Sequence, residues 1–263
     1  MVKKWFLITL ILILGCVFTF SGCTPNRRHI REIIRAMEED DYERFVELIN
    51  QRRSLELEPY VLGIDMVNLP PLHHACYLGK MKYIVKLVEV GANVNSTRHW
   101  AGETPLMVAL DGLARENRLD IAKYLIDCGA DVKLKRGPYS ALEYVFTVGV
   151  EETEEEQFNF ALFLISKGAN INNSSQGNLI FRAARYNNTL MVNYLINERG
   201  VDINLTCDNG YSALMYAARN ECYNVAKYLI ENGARQDIVG KDGKTAKDLA
   251  IERGNEEIIA LFN

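Results

Sequence analysis

The chain has 263 residues, of which 48% are hydrophobic and 24% are charged, and it contains only 6 prolines. This composition excludes a collagen-like fibre, a wholly disordered chain and a polytopic membrane protein. The formal charge is −4, from 30 basic and 34 acidic residues. An acidic excess repels a phosphate backbone, so nucleic acid is not expected as a partner.

The first 22 residues are predicted to form an export signal. Lys3 and Lys4 precede an apolar run over residues 5–20, and the small residues Ser21 and Gly22 follow it, which is the organisation of a signal peptide. The apolar run covers 16 residues, fewer than the roughly 20 that span a bilayer as a helix. A permanent signal anchor is therefore disfavoured.

The end of this segment resembles the lipobox of bacterial lipoproteins. It reads Phe20-Ser21-Gly22-Cys23, with Phe20 where that family usually has Leu. The resemblance implies cleavage before Cys23, lipidation of Cys23 and a short tether over residues 23–29. Thr24 after the Cys implies the outer membrane if the cell has one. The alternatives are an ordinary cleavage site before Cys23, or the lumenal flank of an anchor.

Self-similar segments follow and are the strongest structural signal in the chain. Lys123-Tyr124-Leu125-Ile126 returns as Asn193-Tyr194-Leu195-Ile196 and as Lys227-Tyr228-Leu229-Ile230, each a few residues before a Gly. Two sets of residues recur once in each unit. The first set stands early in the unit and is small, namely Ala75, Ala109, Ala183, Ala217 and Ala250, with Val145 in the same place. The second set stands late in the unit and consists of Gly91, Gly129, Gly168, Gly200 and Gly233.

The spacing within each unit predicts a pair of amphipathic helices. Ile121, Ala122, Leu125 and Ile126 fall at i, i+1, i+4 and i+5, which places them on one helical face. A Gly after such a helix supplies the left-handed backbone of a helix C-terminus. A single helix pair cannot bury its apolar face alone, so the units are expected to stack into one continuous core.

These segments resemble the ankyrin repeat, whose consensus opens with Thr-Pro-Leu-His-x-Ala and closes with Gly-Ala. Thr104-Pro105-Leu106 keeps the opening triplet, and His73 keeps the histidine. The resemblance implies an all-α ankyrin-repeat solenoid of helix-turn-helix layers with short β-hairpin fingers. The units are an N-terminal capping repeat at 30–67, repeats at 68–99, 100–137, 138–175, 176–207 and 208–240, and a C-terminal capping repeat at 241–263.

The repeat at 138–175 is divergent because it contains an acidic insertion. The insertion carries Glu151, Glu152, Glu154, Glu155 and Glu156. It lacks the glycine turn and the alternating ligand order of a calcium loop. We therefore expect a solvated, charged loop there.

No metal, cofactor or catalytic residue is predicted. His73 and His74 are adjacent and point about 100° apart on a helix, so they do not face one ion, and His73 is expected to make a structural hydrogen bond. The chain has no Cys-x-x-Cys pair and no Gly-x-Ser-x-Gly elbow. Cys76 and Cys128 are interpreted as small buried residues. Cys207 and Cys222 belong to opposite ends of a layer, so no disulfide between them is expected.

The resemblance also implies where a partner would bind, because ankyrin stacks use their hairpin tips and the exposed side of their first helices. Trp100 beside Arg98 has the composition of an interaction hot spot, and the alternative is that Trp100 folds back over the neighbouring hairpin. The candidates on hairpin tips are Arg98, His99, Trp100, Arg136 and Tyr139, and those on first helices are Tyr77, Tyr186 and Arg219.

The function predicted from the sequence is protein recognition by a lipid-anchored, monomeric scaffold in the bacterial envelope, facing the periplasm or the cell exterior. Two alternatives remain open. One is a surface-exposed or secreted effector or adhesin that binds a host protein. The other is a regulatory or protective subunit of a periplasmic enzyme. Neither requires the chain itself to be an enzyme.

Overall fold

The computed structural model describes residues 28–51, 70–97, 102–111, 117–137, 139–146, 152–171 and 179–262. The predicted signal peptide and Cys23 lie outside these ranges. Among the helices of the described ranges, none is both long and apolar enough to cross a membrane.

The described residues form a stack of helix pairs, each with a first and a second helix. The first pair is α1, helical from residue 28 to residue 38, and α2 (Tyr42–Ile49). The next pairs are α3 (Pro71–Tyr77) with α4 (Met81–Glu89), α5 (Pro105–Leu110) with α6 (Arg118–Asp127), α7 (Ala141–Val145) with α8 (Glu154–Ser166), α9 (Leu179–Arg185) with α10 (Thr189–Asn197), α11 (Ala213–Arg219) with α12 (Tyr223–Glu231), and α13 (Ala246–Arg253) with α14 (Glu256–Ala260).

A short hairpin precedes α7. Its strands β1 (Lys135–Arg136) and β2 (Tyr139–Ser140) are antiparallel, with Lys135 opposite Ser140 and Arg136 opposite Tyr139. The all-α solenoid with small β fingers is therefore confirmed. Each helix pair lies within one predicted repeat range, except that residues 28 and 29, assigned by sequence to the tether, are already helical.

Capping residues in the sequence explain where the helices begin and end. Thr104 accepts a hydrogen bond from the Met107 amide at the start of α5, and Ser212 does the same for Met215 at the start of α11. Such side-chain oxygens satisfy amides that have no partner within the helix. At the other end, Gly129 and Gly168 close α6 and α8 with φ of +93° and +95°, a region that residues with a Cβ rarely adopt.

Small residues allow the first helices to stack closely. Helix α3 packs on α5, α5 on α7, α7 on α9, α9 on α11 and α11 on α13. The recurring small residues lie in these contacts and are fully buried, as predicted. They are Ala75, Ala109, Val145, Ala183, Ala217 and Ala250, each with 0% exposure.

The acidic insertion is only in part a loop, and the prediction of a solvated loop is wrong for the residues that are described. Glu154, Glu155 and Glu156 form the first turn of α8, where carboxylates are favoured by the helix dipole. Thr153 and Glu156 make a capping box that begins the helix. The side chain of Glu152 is only 14% exposed and pairs with Arg118. Glu151 lies outside the described residues.

His73 makes the expected structural contact. Its Nε2 lies 3.1 Å from the carbonyl oxygen of Glu103, at the start of the next repeat. The four cysteines of the repeats are all free. Cys76 is fully buried, as predicted. Cys128 is only half-buried, contrary to the prediction, because it is the C-cap of α6 and lies beyond the face that packs in the core.

His74 is a buried titratable group between the N-terminal cap and the next repeat. Its side chain is 4% exposed, and its Nε2 lies 3.3 Å from Oε1 of Glu38 on α1. Burial lowers the pKa of His74 below its ordinary value of 6.5, and the charge of Glu38 offsets this only in part. The folded chain therefore holds fewer protons at this site than the unfolded chain below that pH.

We expect the free energy of unfolding to fall as the pH is lowered from 7.5 to 5.5. The depressed pKa of His74 means that the unfolded state takes up more of a proton in this window than the folded state does, so the stabilisation is present at higher pH and is lost on acidification. Urea denaturation at each pH measures the loss. The His74→Gln variant should lose less over the same window, and equal losses in the two proteins would contradict the assignment.

Candidate protein-binding face

Arginine and tyrosine side chains form a row over the β1–β2 hairpin and the first helices α7, α9 and α11, where Tyr216 of α11 lies within electrostatic reach of Tyr139 and Arg185. Three of them, Tyr144, Arg182 and Tyr216, stand directly before the recurring small residues of their helices. They therefore occupy the same position in consecutive repeats. We call the row the arginine–tyrosine strip, and it comprises Arg136, Tyr139, Tyr144, Arg182, Arg185, Tyr186, Tyr211, Tyr216 and Arg219.

The hairpin end of the strip is held by polar contacts. Arg136 on β1 makes an ion pair with Glu103, and its Nη1 donates to the hydroxyl of Tyr144 at 3.1 Å. The rings of Tyr139 and Tyr144 meet edge to face with centroids 6.4 Å apart. Burial raises the pKa of Tyr144, although Arg136 works in the opposite direction. Tyr144 is therefore a neutral phenol at physiological pH.

Arg182 lies at the centre of the strip and is fixed in place. Its Nε donates to the carbonyl oxygens of Glu143 at 2.9 Å and Phe146 at 3.2 Å, at the end of α7. Its guanidinium carbon lies 4.8 Å from the ring centroid of Tyr186, 5.6 Å from that of Tyr139 and 6.0 Å from that of Tyr144. These distances allow cation–π attraction. The guanidinium is thus oriented before any partner binds.

Two more arginines repeat along the stack. Arg185 and Arg219 are the last residues of α9 and α11, and both are exposed. The guanidinium carbon of Arg185 lies 5.6 Å from the Tyr186 ring centroid, and that of Arg219 lies 5.8 Å from the Tyr211 ring centroid. Each of these arginines therefore lies against a tyrosine ring, and of the strip's tyrosines Tyr144 and Tyr211 are buried beneath the surface.

The far end of the strip is held by the segment that precedes the last helix pair. The hydroxyl of Tyr211 donates to Oδ2 of Asp242 at 2.6 Å, and this bond raises the pKa of Tyr211 and lowers that of Asp242. The Tyr211 and Tyr216 ring centroids are 5.7 Å apart. A Cβ at Gly240 would lie 2.6 Å from the Tyr211 ring. A residue with a side chain at position 240 would therefore clash with the Tyr211 ring.

The structure outlines two concave features among the described residues. A cavity of about 450 Å³ lies on the strip and is lined by Asp111, Arg136, Gly137, Tyr139, Tyr144 and Arg182. A larger groove of about 580 Å³ runs between α6 and α8. Its charged lining is largely self-satisfied, because Lys123 pairs with Asp120 and Glu156 caps α8. The cavity on the strip is therefore the better candidate for a partner side chain.

The structure brings four of the predicted binding residues together on the strip, namely Arg136, Tyr139, Tyr186 and Arg219. Tyr77 is apart from them on α3, beside His74, with ring centroids 6.2 Å apart. The candidates Arg98, His99 and Trp100 lie outside the described residues. Sequence reasoning missed Tyr144, Arg182, Tyr211 and Tyr216. A sequence signal exists for Tyr144, Arg182 and Tyr216, because each stands immediately before a buried small residue of a first helix.

A metal centre has no support in the described ranges. Within them, no three side chains of His, Cys, Asp or Glu are grouped so that they could hold an ion.

Comparison with known proteins finds the same architecture. The family model for ankyrin repeats matches residues 33–136, 153–242 and 180–262. Alpha-latrocrustotoxin-Lt1a from Latrodectus tredecimguttatus is 26% identical over 208 residues, which are 73% of this chain and 14% of the toxin. The ankyrin repeat and KH domain-containing protein mask-1 from Caenorhabditis elegans is 30% identical over 192 residues, which are 72% of this chain and 7% of that protein. The chain thus spans a small part of these relatives.

Two solved structures are similar over most of the chain. One is a chain from the complex of the predatory endopeptidase Bd0816 from Bdellovibrio bacteriovorus with the immunity protein Bd3460. It is 28% identical with a TM-score of 0.56, covering 72% of this chain and 95% of that one. The other is the human ASB11 ankyrin repeat domain, 23% identical with a TM-score of 0.62, covering 88% and 97%.

Proposed function

Because the chain belongs to the ankyrin-repeat family, we propose that it recognises another protein through the arginine–tyrosine strip, while a lipid on Cys23 holds it in a bacterial envelope. Ankyrin stacks are interaction scaffolds whose extended faces bind partners. The observation that carries the proposal is the strip itself, a row of Arg and Tyr side chains along the first helices.

The composition and rigidity of the strip support a binding role. Tyrosine and arginine are enriched among the residues that dominate binding energy at interfaces. Arg182 is held by two carbonyl oxygens, and Tyr211 is held by Asp242. Side chains that are ordered before binding lose less conformational entropy when a partner arrives. The strip is therefore suited to specific recognition.

The membrane anchor rests on the sequence alone. The basic start, the apolar run and the Cys23 motif support export and lipidation. Inserted acyl chains contribute roughly 0.8 kcal/mol per buried methylene, so two or more chains give stable attachment. In this proposal the repeats face the periplasm or the cell exterior and act as a monomer.

A second candidate function is protection or regulation of an enzyme in the same envelope. It is favoured by the 28% identity with a chain from a complex of an endopeptidase with an immunity protein. In that case the strip would contact the enzyme. The two candidates share one binding surface and differ in the identity of the partner.

Photo-crosslinking in the cell that encodes the chain tests the proposal. A photoreactive phenylalanine analogue at Tyr186 on the strip should give a covalent adduct with one defined protein, identified by mass spectrometry. The matched control is the same analogue at Leu190, which is 39% exposed on the second helix α10. Adducts from position 190 and none from position 186 would contradict the use of the strip.

The same cells test the anchor through Cys23→Ser. The intact chain should incorporate labelled palmitate and should be found with its crosslinked partner in the membrane fraction. The Cys23→Ser variant should carry no label, and both the chain and its adduct should appear in the soluble fraction. A variant that stays in the membrane, with neither protein labelled, would make residues 1–22 a signal anchor. An adduct with an envelope hydrolase would support the protective role, and one with a host protein an effector or adhesin.

A further inference from the structure

Three guanidinium groups of the strip have no acidic partner among the described residues. Arg182, Arg185 and Arg219 make no ion pair there. Most arginines elsewhere in the described ranges are paired, for example Arg35 with Glu39, Arg118 with Glu152 and Arg235 with Asp237. The chain as a whole has more acidic than basic residues. Arg31 and Arg199 are also unpaired among the described residues, but they stand singly and touch no aromatic ring there. The alignment of three arginines over tyrosine rings is therefore what indicates an acidic partner.

The geometry of these arginines suits carboxylates. The Nε of Arg182 is engaged by main-chain carbonyl oxygens, and its remaining donors make no hydrogen bond within the described structure. Two parallel donors of a guanidinium match the two oxygens of a carboxylate. The ring faces of Tyr186 and Tyr211 orient Arg185 and Arg219 in the same manner. The strip therefore presents several oriented donors in a row.

The charges around the strip favour a protein over a nucleic acid. Asp111 lines the cavity beside Arg136, and Asp242 accepts from Tyr211 at the other end. A nucleic acid carries its charge in the backbone itself and would bring it near both aspartates, whereas the carboxylates of a peptide lie on flexible side chains that can turn toward the arginines.

We propose that the partner of this chain binds the strip with an acidic, extended segment whose carboxylates pair with Arg182, Arg185 and Arg219. This inference rests on the proposed function and adds the chemistry of the partner. It also gives the interaction a salt dependence, because pairs between exposed charges weaken as ionic strength rises.

A fluorescein-labelled 15-residue oligo-glutamate peptide is the probe, with oligo-glutamine of the same length as its neutral control. Fluorescence anisotropy is measured with the full chain in detergent. We expect saturable binding of oligo-glutamate that weakens with added NaCl, and none of oligo-glutamine. The Arg185→Glu/Arg219→Glu variant should bind oligo-glutamate at least about tenfold more weakly, because two attractions become repulsions.

The matched control is Arg31→Glu/Arg199→Glu, which changes the net charge by the same amount at two exposed arginines off the strip. It should bind within about twofold of the parent chain. Equal weakening by both double variants would overturn the proposal, since only the overall charge would then matter. Tighter binding of single-stranded DNA of equal length, abolished by Arg185→Glu/Arg219→Glu, would overturn it in favour of a nucleic-acid surface.

Crosslinking separates failure of this inference from failure of the proposed function. If the Tyr186 adduct forms in cells with the parent chain and persists with Arg185→Glu/Arg219→Glu, the strip binds a protein but not through acidic groups. That outcome overturns the inference alone. Loss of the adduct in the double variant, with retention in Arg31→Glu/Arg199→Glu, supports both.

Discussion

Replacement of Arg118 by Leu is expected to lower the free energy of unfolding by about 4 kcal/mol. Arg118 is fully buried, and burial lowers its pKa while the charge of Glu152 opposes that effect. Its Nε donates to Glu152 at 2.8 Å, Nη1 to the Leu110 carbonyl at 2.8 Å and Nη2 to the Val145 carbonyl at 2.9 Å. The substitution leaves the largely buried carboxylate of Glu152 and three main-chain carbonyls without these donors. Each buried acceptor that loses its donor carries the full free-energy cost of its desolvation.

Urea denaturation monitored by circular dichroism measures the loss. Lys123→Met on the same helix is the control, because Lys123 is 54% exposed and, among the described residues, forms an ion pair with Asp120 alone, so it should change stability by less than about 0.5 kcal/mol. Adding Glu152→Gln to Arg118→Leu should recover part of the stability, since it removes the uncompensated charge. A loss below about 1 kcal/mol for Arg118→Leu would contradict the assigned role.

The defect should also be local. Each repeat contacts only its neighbours, so stability is close to a sum of repeat and interface contributions. Hydrogen exchange should therefore show lost protection in α5, α6 and α7, with α11 to α14 retaining theirs. Uniform loss along the stack would show instead that the array unfolds as one unit.

Helix α7 shows how the buried arginine and the binding strip are connected. It has only five residues, Ala141–Val145, too few to satisfy its own terminal carbonyls. Arg118 donates to the carbonyl oxygens of Tyr144 and Val145, and Arg182 donates to those of Glu143 and Phe146. The same helix carries the Tyr144 ring of the strip. Loss of Arg118 is therefore expected to make the carbonyl oxygens that bind Arg182 less well ordered.

The repeating parts of this fold were predictable because they depend on local spacing. The buried alanines at 75, 109, 183, 217 and 250 recur in phase, and each must be small for the first helices to approach. At the start of α8 the sequence prediction of a loop is wrong, because a run of glutamates is typical of a solvated loop whereas Thr153 and Glu156 form a capping box that begins a helix. Its signal was present in the sequence, as a Thr three residues before a Glu.

The candidate site was predictable only in part. The family resemblance placed Arg136, Tyr139, Tyr186 and Arg219 on exposed faces, and these do lie together. Arg182 could not be ranked from sequence, because its orientation depends on carbonyls 36 and 39 residues earlier in the chain. The burial of Arg118 could not be predicted for the same reason, since its acceptors belong to α5, to α7 and to the segment before α8. Contacts between distant segments are decided by packing and not by local pattern.

Replacement of Phe45 by Ala is expected to cost about 4 kcal/mol and to detach the N-terminal cap. Phe45 on α2 is fully buried. Its ring meets Tyr83 of the next repeat edge to face, with centroids 4.7 Å apart, and Tyr83 in turn donates to Asp40 at 2.9 Å. Truncation leaves a cavity at the only layer that covers α3 and α4 on this side within the described residues.

Urea denaturation of Phe45→Ala, with Glu47→Ala as control, tests this prediction. Glu47 lies on the same helix and is exposed, so its substitution should change stability by less than about 0.5 kcal/mol. Limited proteolysis should cut Phe45→Ala within residues 28–51 well before the later repeats. Because the strip begins at Arg136, oligo-glutamate binding should survive this cut. Simultaneous loss of the cap and of peptide binding would show that the cap stabilises the whole array, contrary to nearest-neighbour stacking.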